Sequence, residues 1–163
     1  MDVKLINPFL NATVKVLDTM AHVSAKPEKP YLREDMTAVG VVTSLLVLSG
    51  AAEGTLSVSF DEPSILSIVS NMFGEEKTRV DEEIENAVAE LSAMISNQAR
   101  KDLEGMEIVL QAETPKIITG ENQPVAHYDK NPRIALPFTT DNGSFTVEVC
   151  MERKKIDSGQ GNL

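Results

Sequence analysis

Apolar residues recur along this chain at two different spacings, and the switches between them mark out the elements. From Asp81 to about Leu103, the residues Ile84, Val88, Leu91, Met94, Ile95 and Leu103 fall three or four apart, with Ala87 and Ala99 beside them. That spacing predicts a long helix with one buried face. Asp81 is placed to cap it, the acids that follow suit the positive end of the helix dipole, and Gly105 ends it in the usual glycine manner. The same period appears earlier at Ile6, Phe9, Leu10, Thr13, Leu17, Met20 and Ala21. There Asn7 as cap and Pro8 at the first helical position predict the start, and Lys26-Pro27 the stop. Asn7, Asn11, Lys15, Asp18 and His22 make its polar face. A shorter helix is predicted from Asp61-Glu62-Pro63 to Gly74.

Elsewhere the period is two. Thr37 to Leu48 reads as a strand in which Gly40 marks a bulge or a close backbone approach. Thr55 to Phe60 alternates Leu56, Val58 and Phe60 against Thr55, Ser57 and Ser59, the pattern of a half-buried antiparallel strand. The two are joined by a loop from Gly50 to Gly54. Lys26 to Arg33, with two prolines, reads as a loop leading into a short edge strand. Met106 to Glu113 and Lys116 to Thr119 are weaker strands broken at Thr114-Pro115, and Glu121 to Pro132 is a polar loop. Arg133 to Thr139 and Ser144 to Glu152 form a hairpin about Asp141-Asn142-Gly143. In its second strand Phe145, Val147 and Val149 alternate with Thr146, Glu148 and Cys150. The order predicts an α+β fold, an antiparallel sheet with the long helices packed on one face. It is read as a single domain over residues 1–153 with a polar, disordered tail at 154–163. A long helix followed by a hairpin occurs twice, and Leu17-Asp18-Thr19-Met20 sits where Leu91-Ser92-Ala93-Met94 sits, so Val16 matches Glu90.

Composition narrows what such a domain does. The 163 residues are 42% apolar and 25% charged, ordinary for a soluble globular chain. The formal net charge of −10 argues against nucleic acid or an anionic membrane as partner. Met36 to Ala52, the longest uncharged stretch, is too polar for a membrane span, and no signal peptide opens the chain. The single cysteine, Cys150, fits a reducing cytoplasm and reads as a small buried apolar residue. His22 and His127 lie in separate segments without metal-ligand spacing, and there is no Ser-His-Asp set or P-loop. What remains is the outer face of the long helix. Asn86, Glu90, Ala93 and Asn97 fall within a stripe about 60° wide, which is either a solvated face or a surface for polar recognition.

Several segments, INPFLNATVKVLDTMA, SFDEPSILSIVSNMFGEE, VDEEIENAVAELSAMISNQA and the closing strands to VEVCMER, together resemble CheX members of the CheC/CheX/FliY family of bacterial chemotaxis phosphatases. The resemblance spans nearly the whole chain. It implies a CheC/CheX-like fold, a cytoplasmic protein, a homodimer joined through sheet edges, and a phosphorylated CheY-like receiver domain as partner. It also implies a site made of a Glu and an Asn three positions later on an exposed helix face. The Glu pairs with the receiver's lysine and the Asn amide orients a water for attack on the aspartyl phosphate. Mg²⁺ comes with the receiver, so no cofactor of its own is expected. Here the Glu is Glu90, but the position three later is Ala93, and the family's glycine four further on is Asn97. Asn86 stands where the family has Asp or Ser, and Thr114-Pro115 lies near its downstream proline. Three readings stay open. The chain docks a receiver domain without hydrolysing its phosphate efficiently; Asn97 or Asn86 replaces the missing amide; or the alanine is an introduced change. A non-catalytic receiver-binding or flagellar-switch module is the alternative to an enzyme.

Overall fold

The computed structural model describes residues 3–128 and 133–154. Three helices, α1 (Val3–Ala21), α2 (Glu62–Phe73) and α3 (Glu82–Glu104), lie on one face of an eight-stranded antiparallel sheet. The strands are β1 (Lys26–Pro27), β2 (Tyr31–Arg33), β3 (Val42–Gly50), β4 (Ala52–Phe60), β5 (Leu110–Ala112), β6 (Lys116–Thr119), β7 (Arg133–Thr140) and β8 (Gly143–Arg153). The expected fold class is the one observed.

The sheet is organised about its middle. β4 pairs with β8 along its whole length, from Ala52 opposite Arg153 to Phe60 opposite Phe145. β3 flanks β4, and β7 flanks β8. The margins are exchanged: β1 and β2 pair with β7, while β5 and β6 pair with β3. Each half is thus a long helix, two short strands and a long hairpin, and α2 is the element without a counterpart. The faint repeat in the sequence is a repeat in topology. Leu56, Val58 and Phe60 of β4 and Phe145, Val147 and Val149 of β8 point toward the helices and are buried with Leu17, Leu91 and Ile95 in one core. Phe145 stacks on Phe138 and packs tilted on Phe60, each pair with ring centroids 5.0 Å apart.

Several expectations need correction. α1 begins at Val3, not at Asn7-Pro8, and Pro8 lies inside it. A proline this close to a helix start removes a single internal hydrogen bond, and burying Leu5 and Ile6 in the core outweighs that loss. The strand expected from Thr37 starts at Val42. Thr37 makes an isolated bridge to Pro124, and Gly40 passes so close to the Phe60 carbonyl that a Cβ there would overlap it. Met106 to Glu113 is a strand only at Leu110–Ala112. Gly105 is right-handed (φ −62°), and the left-handed residue after α3 is Glu107 (φ 65°).

The largest correction concerns the sheet face away from the helices. Thr55, Ser57 and Ser59, read as the solvated side of a half-buried strand, are all buried, as are Thr146, Glu148 and Cys150 on β8. Two segments cross this face and hydrogen bond to each other, Ala38 N–H to the Gln123 carbonyl at 2.7 Å and Val125 N–H to the Met36 carbonyl at 2.8 Å. The small hydroxyls survive burial because each finds a partner. Thr43 pairs with Ser59 at 2.6 Å, and His127 spans Thr55 (Nδ1, 2.7 Å) and Ser57 (Nε2, 3.0 Å). Burial, with Arg133 and Arg33 nearby, lowers the His127 pKa from 6.5 to about 3. Glu148 accepts from Arg133 Nε at 2.5 Å and from Arg33 Nη1 at 2.8 Å. Cys150 Sγ lies 2.6 Å from the Tyr128 carbonyl. Residues 129–132 of the loop expected at Glu121 to Pro132, and all of the expected tail but Lys154, lie outside the described residues.

Candidate functional site

α3 is the helix predicted at Asp81. Asp81 Oδ1 accepts from Ile84 N–H at 3.1 Å, and Glu82, Glu83 and Glu85 fill the first turn at the positive end of the dipole. Ile84, Val88, Leu91, Ile95 and Leu103 pack inward, and α3 lies against α1 and over β3, β5 and β6. Two inward positions are serines. Ser92 shares a short hydrogen bond with Ser44 of β3, and Ser96 is fully buried. Small side chains here let the helix approach the sheet, and the paired hydroxyls remove the penalty of burying them.

With the apolar stripe committed to the core, the opposite stripe faces water. Asn86, Glu90 and Asn97 are exposed and Ala93 is half-buried between them. Among the described residues Glu90 has no hydrogen bond or ion pair, whereas on the same helix Glu83 is bonded to Lys77, Glu85 accepts from Thr119 Oγ1 at 2.8 Å and Asp102 accepts from Gln98 Nε2 at 3.3 Å. Asn97 differs from Glu90 in having a partner: its Oδ1 accepts from Arg100 Nη2, while Arg100 Nε donates to Ser96 Oγ at 3.1 Å.

Asn97 forms a ridge between two depressions. On one side, a groove of 380 Å³ between α1 and α3 is lined by Lys15, Val16, Thr19, Met20, Met94 and Gln98. On the other, a hollow of 230 Å³ is lined by Ala93, Ser96, Arg100, Glu113, Thr114 and Pro115, among others. The fold thus brings Thr114-Pro115, after β5, beside Ala93. Arg100 and Ser96 were not singled out in the sequence, although Arg100 lies three residues from Asn97 and four from Ser96, on the same face of a helix. Among the described residues no group of three or more His, Cys, Asp or Glu side chains is placed to hold a metal ion, and no helix is long and apolar enough to cross a membrane.

This site is an open helix face on which Glu90 has no partner among the described residues, not an enclosed cleft. Fold and face together are those of a surface that can receive a macromolecular partner. Residues 42–139 match the family model described as chemotaxis phosphatase CheX. The chain belongs to the CheX family. It is similar to a CheC-like superfamily protein from Shewanella sp. PV-4, with 37% identity, 93% of this chain and 99% of that chain covered, and a TM-score of 0.87. A chemotaxis protein CheX from Desulfovibrio desulfuricans is 36% identical over 91% of this chain and 99% of that one, with a TM-score of 0.84. The CheX of a CheX–CheY–BeF3–Mg²⁺ complex from Borrelia burgdorferi is 26% identical over 91% and 97%, with a TM-score of 0.76.

Proposed function

We propose that this protein docks a phosphorylated CheY-like receiver domain on the outer face of α3, with Glu90 as the docking carboxylate and Asn86, Ala93 and Asn97 as the surface around it. The observation that carries the reading is the exposed, unpartnered Glu90 in a CheX-family chain. A carboxylate in water without a partner is free to engage a partner's lysine. The complex formed by the Borrelia relative supports a CheY-like receiver as the partner. Mg²⁺ would arrive with that receiver.

Family membership favours aspartyl-phosphate hydrolysis as the reaction, and the residue at 93 argues that the unaltered protein performs it poorly. An alanine methyl cannot hold a water in line with the phosphorus. Asn97 stands four residues further on, about 6 Å along the axis, and Asn86 lies on the other side of Glu90. A water displaced by far less loses most of its reactivity. A receiver-binding module without efficient catalysis is therefore the reading that the site chemistry favours within the family. We further infer that the chain to Arg153 acts as one domain and works in the cytoplasm as a homodimer. Exposed apolar side chains at the sheet margins, Tyr31 and Leu32 on β2 and Val109 before β5, support joining through those edges.

The test is the decay of the phosphorylated CheY-like receiver of the same organism, with and without the protein, beside an Ala93→Asn variant. The expectation is little acceleration by the protein as it stands and a gain of about 100-fold in the variant, the scale of one well-placed polar group at a reacting centre. Strong acceleration by the unaltered protein would show that another group positions the water.

A further inference from the structure

The Asn97–Arg100 pair has a chemistry of its own. A guanidinium can only donate hydrogen bonds, so the atom of Asn97 that faces Arg100 is the amide oxygen. With one lone pair of that oxygen engaged, the NH₂ group is the part of Asn97 left wholly without a partner among the described residues. Arg100 uses Nε on Ser96 and Nη2 on Asn97, which leaves further N–H groups of its five. Ser96 is fully buried and fixed in the helix–sheet interface, so it anchors the guanidinium. The result is a set of N–H donors held in place by Ser96.

Among the described residues Arg100 is also without a carboxylate partner. The chain has 25 Asp and Glu against 15 Lys and Arg, and both arginines of the far sheet face share Glu148. Among the described residues no acid is paired with Arg100, although Glu113 lines the same hollow. That hollow has a volume of 230 Å³, several times the roughly 30 Å³ of one water. Ala93 opens it toward the outer stripe, with Glu90 three residues before and Asn97 four after. A group seated over the Ala93 methyl stands one helical turn from each, about 5 Å along the axis.

Building on the docking reading above, we propose that Asn97 and Arg100 form a phosphoryl-recognition subsite, which binds the oxygens of the receiver's aspartyl phosphate while Glu90 holds its lysine. A guanidinium and an amide NH₂ with N–H groups to spare suit an oxyanion. The subsite reads the phosphorylated state and leaves the phosphate in place, so the protein discriminates between the two states of its partner.

The experiment measures binding of the same organism's CheY-like receiver in two forms, with Mg²⁺ alone and loaded with BeF3⁻ and Mg²⁺. The proteins compared are the unaltered one, Arg100→Gln, Arg100→Lys and Glu90→Ala, with circular dichroism confirming that each is folded. The unaltered protein is expected to prefer the loaded form. Arg100→Gln should lose about tenfold or more of that preference, read as the ratio of the two affinities, as for loss of a charged hydrogen bond. Arg100→Lys, which keeps the charge and loses the fork, should recover only part of it. Glu90→Ala should weaken both forms alike. An Arg100→Gln variant that keeps the full preference would overturn the subsite and leave docking intact. Failure of the unaltered protein to bind either form would overturn the docking reading, and the subsite with it.

Discussion

Glu148 lies on the covered face of the sheet with 2% of its surface exposed, between Arg133 at 2.5 Å and Arg33 at 2.8 Å. Glu90 stands in water on the outer face of α3 with no partner among the described residues. In the sequence both are carboxylates on the polar side of an amphipathic element, and periodicity treats them alike. The difference lies in what crosses over them. The segments at 36–38 and 123–125 close over β4 and β8, whereas among the described residues nothing closes over the outer face of α3. A buried charge must be paired to be tolerated, and a pair made for that purpose is saturated. A charge left unpaired in water costs the fold nothing and stays available. The region dense in charged hydrogen bonds is therefore the structural one, and the sparse region is the one proposed for docking.

The contrast can be broken at either end. The largest effect is expected from Glu148→Ala, which leaves Arg133 buried without its carboxylate. Loss of about 3–5 kcal/mol of stability is the scale for removing one member of a buried ion pair, and urea denaturation measures it. A loss below about 1 kcal/mol would show that the face is wetter than its closed packing indicates.

A comparable effect, spread over pH, comes from His127. Its folded pKa of about 3 lies below the ordinary 6.5. Between those values the unfolded chain binds a proton that the folded protein refuses, so acid favours unfolding. Its contribution is fully present above about pH 6.5 and is lost as pH falls toward 3, at up to about 1.4 kcal/mol per pH unit. Denaturation midpoints from pH 7 to pH 4 should therefore fall less steeply for His127→Asn than for the unaltered protein. The smallest effect on the fold is expected at the open end. Glu90→Ala should change stability by no more than about 0.5 kcal/mol while weakening receiver binding. Thermal melting beside a binding titration separates the two, and unchanged binding would remove Glu90 from the site.

Much of the architecture could be read from periodicity. The Asp81 cap, the inward stripe of α3, the start of α2 at Asp61-Glu62-Pro63 and the hairpin at Asp141-Asn142 all follow from local chemistry that the tertiary structure does not override. The covered face could not be read that way. Alternation of Thr55, Ser57 and Ser59 with leucine, valine and phenylalanine is the same whether the hydroxyls meet water or His127. Pro8 misled because burial of Leu5 and Ile6, a tertiary effect, carries the helix past a residue that locally signals its start. The outward stripe of Asn86, Glu90, Ala93 and Asn97 was legible, since solvent exposure follows from the helix period. Arg100 was not, because only the side-chain rotamer brings its guanidinium back onto Asn97 and Ser96.

The exchanged margins of the sheet bear on how the chain reaches this structure. Phe60 and Phe145 face each other at one end of the central β4–β8 pair although more than half the chain separates them. The short strands of each half finish the sheet of the other. A nascent first half, released through β4, has its strongest edge open and lacks the strand that β1 and β2 need. Contacts this distant in sequence slow folding, because chain entropy is lost before they form. The halves are therefore obligate folding partners, and α3 becomes a firm platform only after the last strand, β8, has closed against β4.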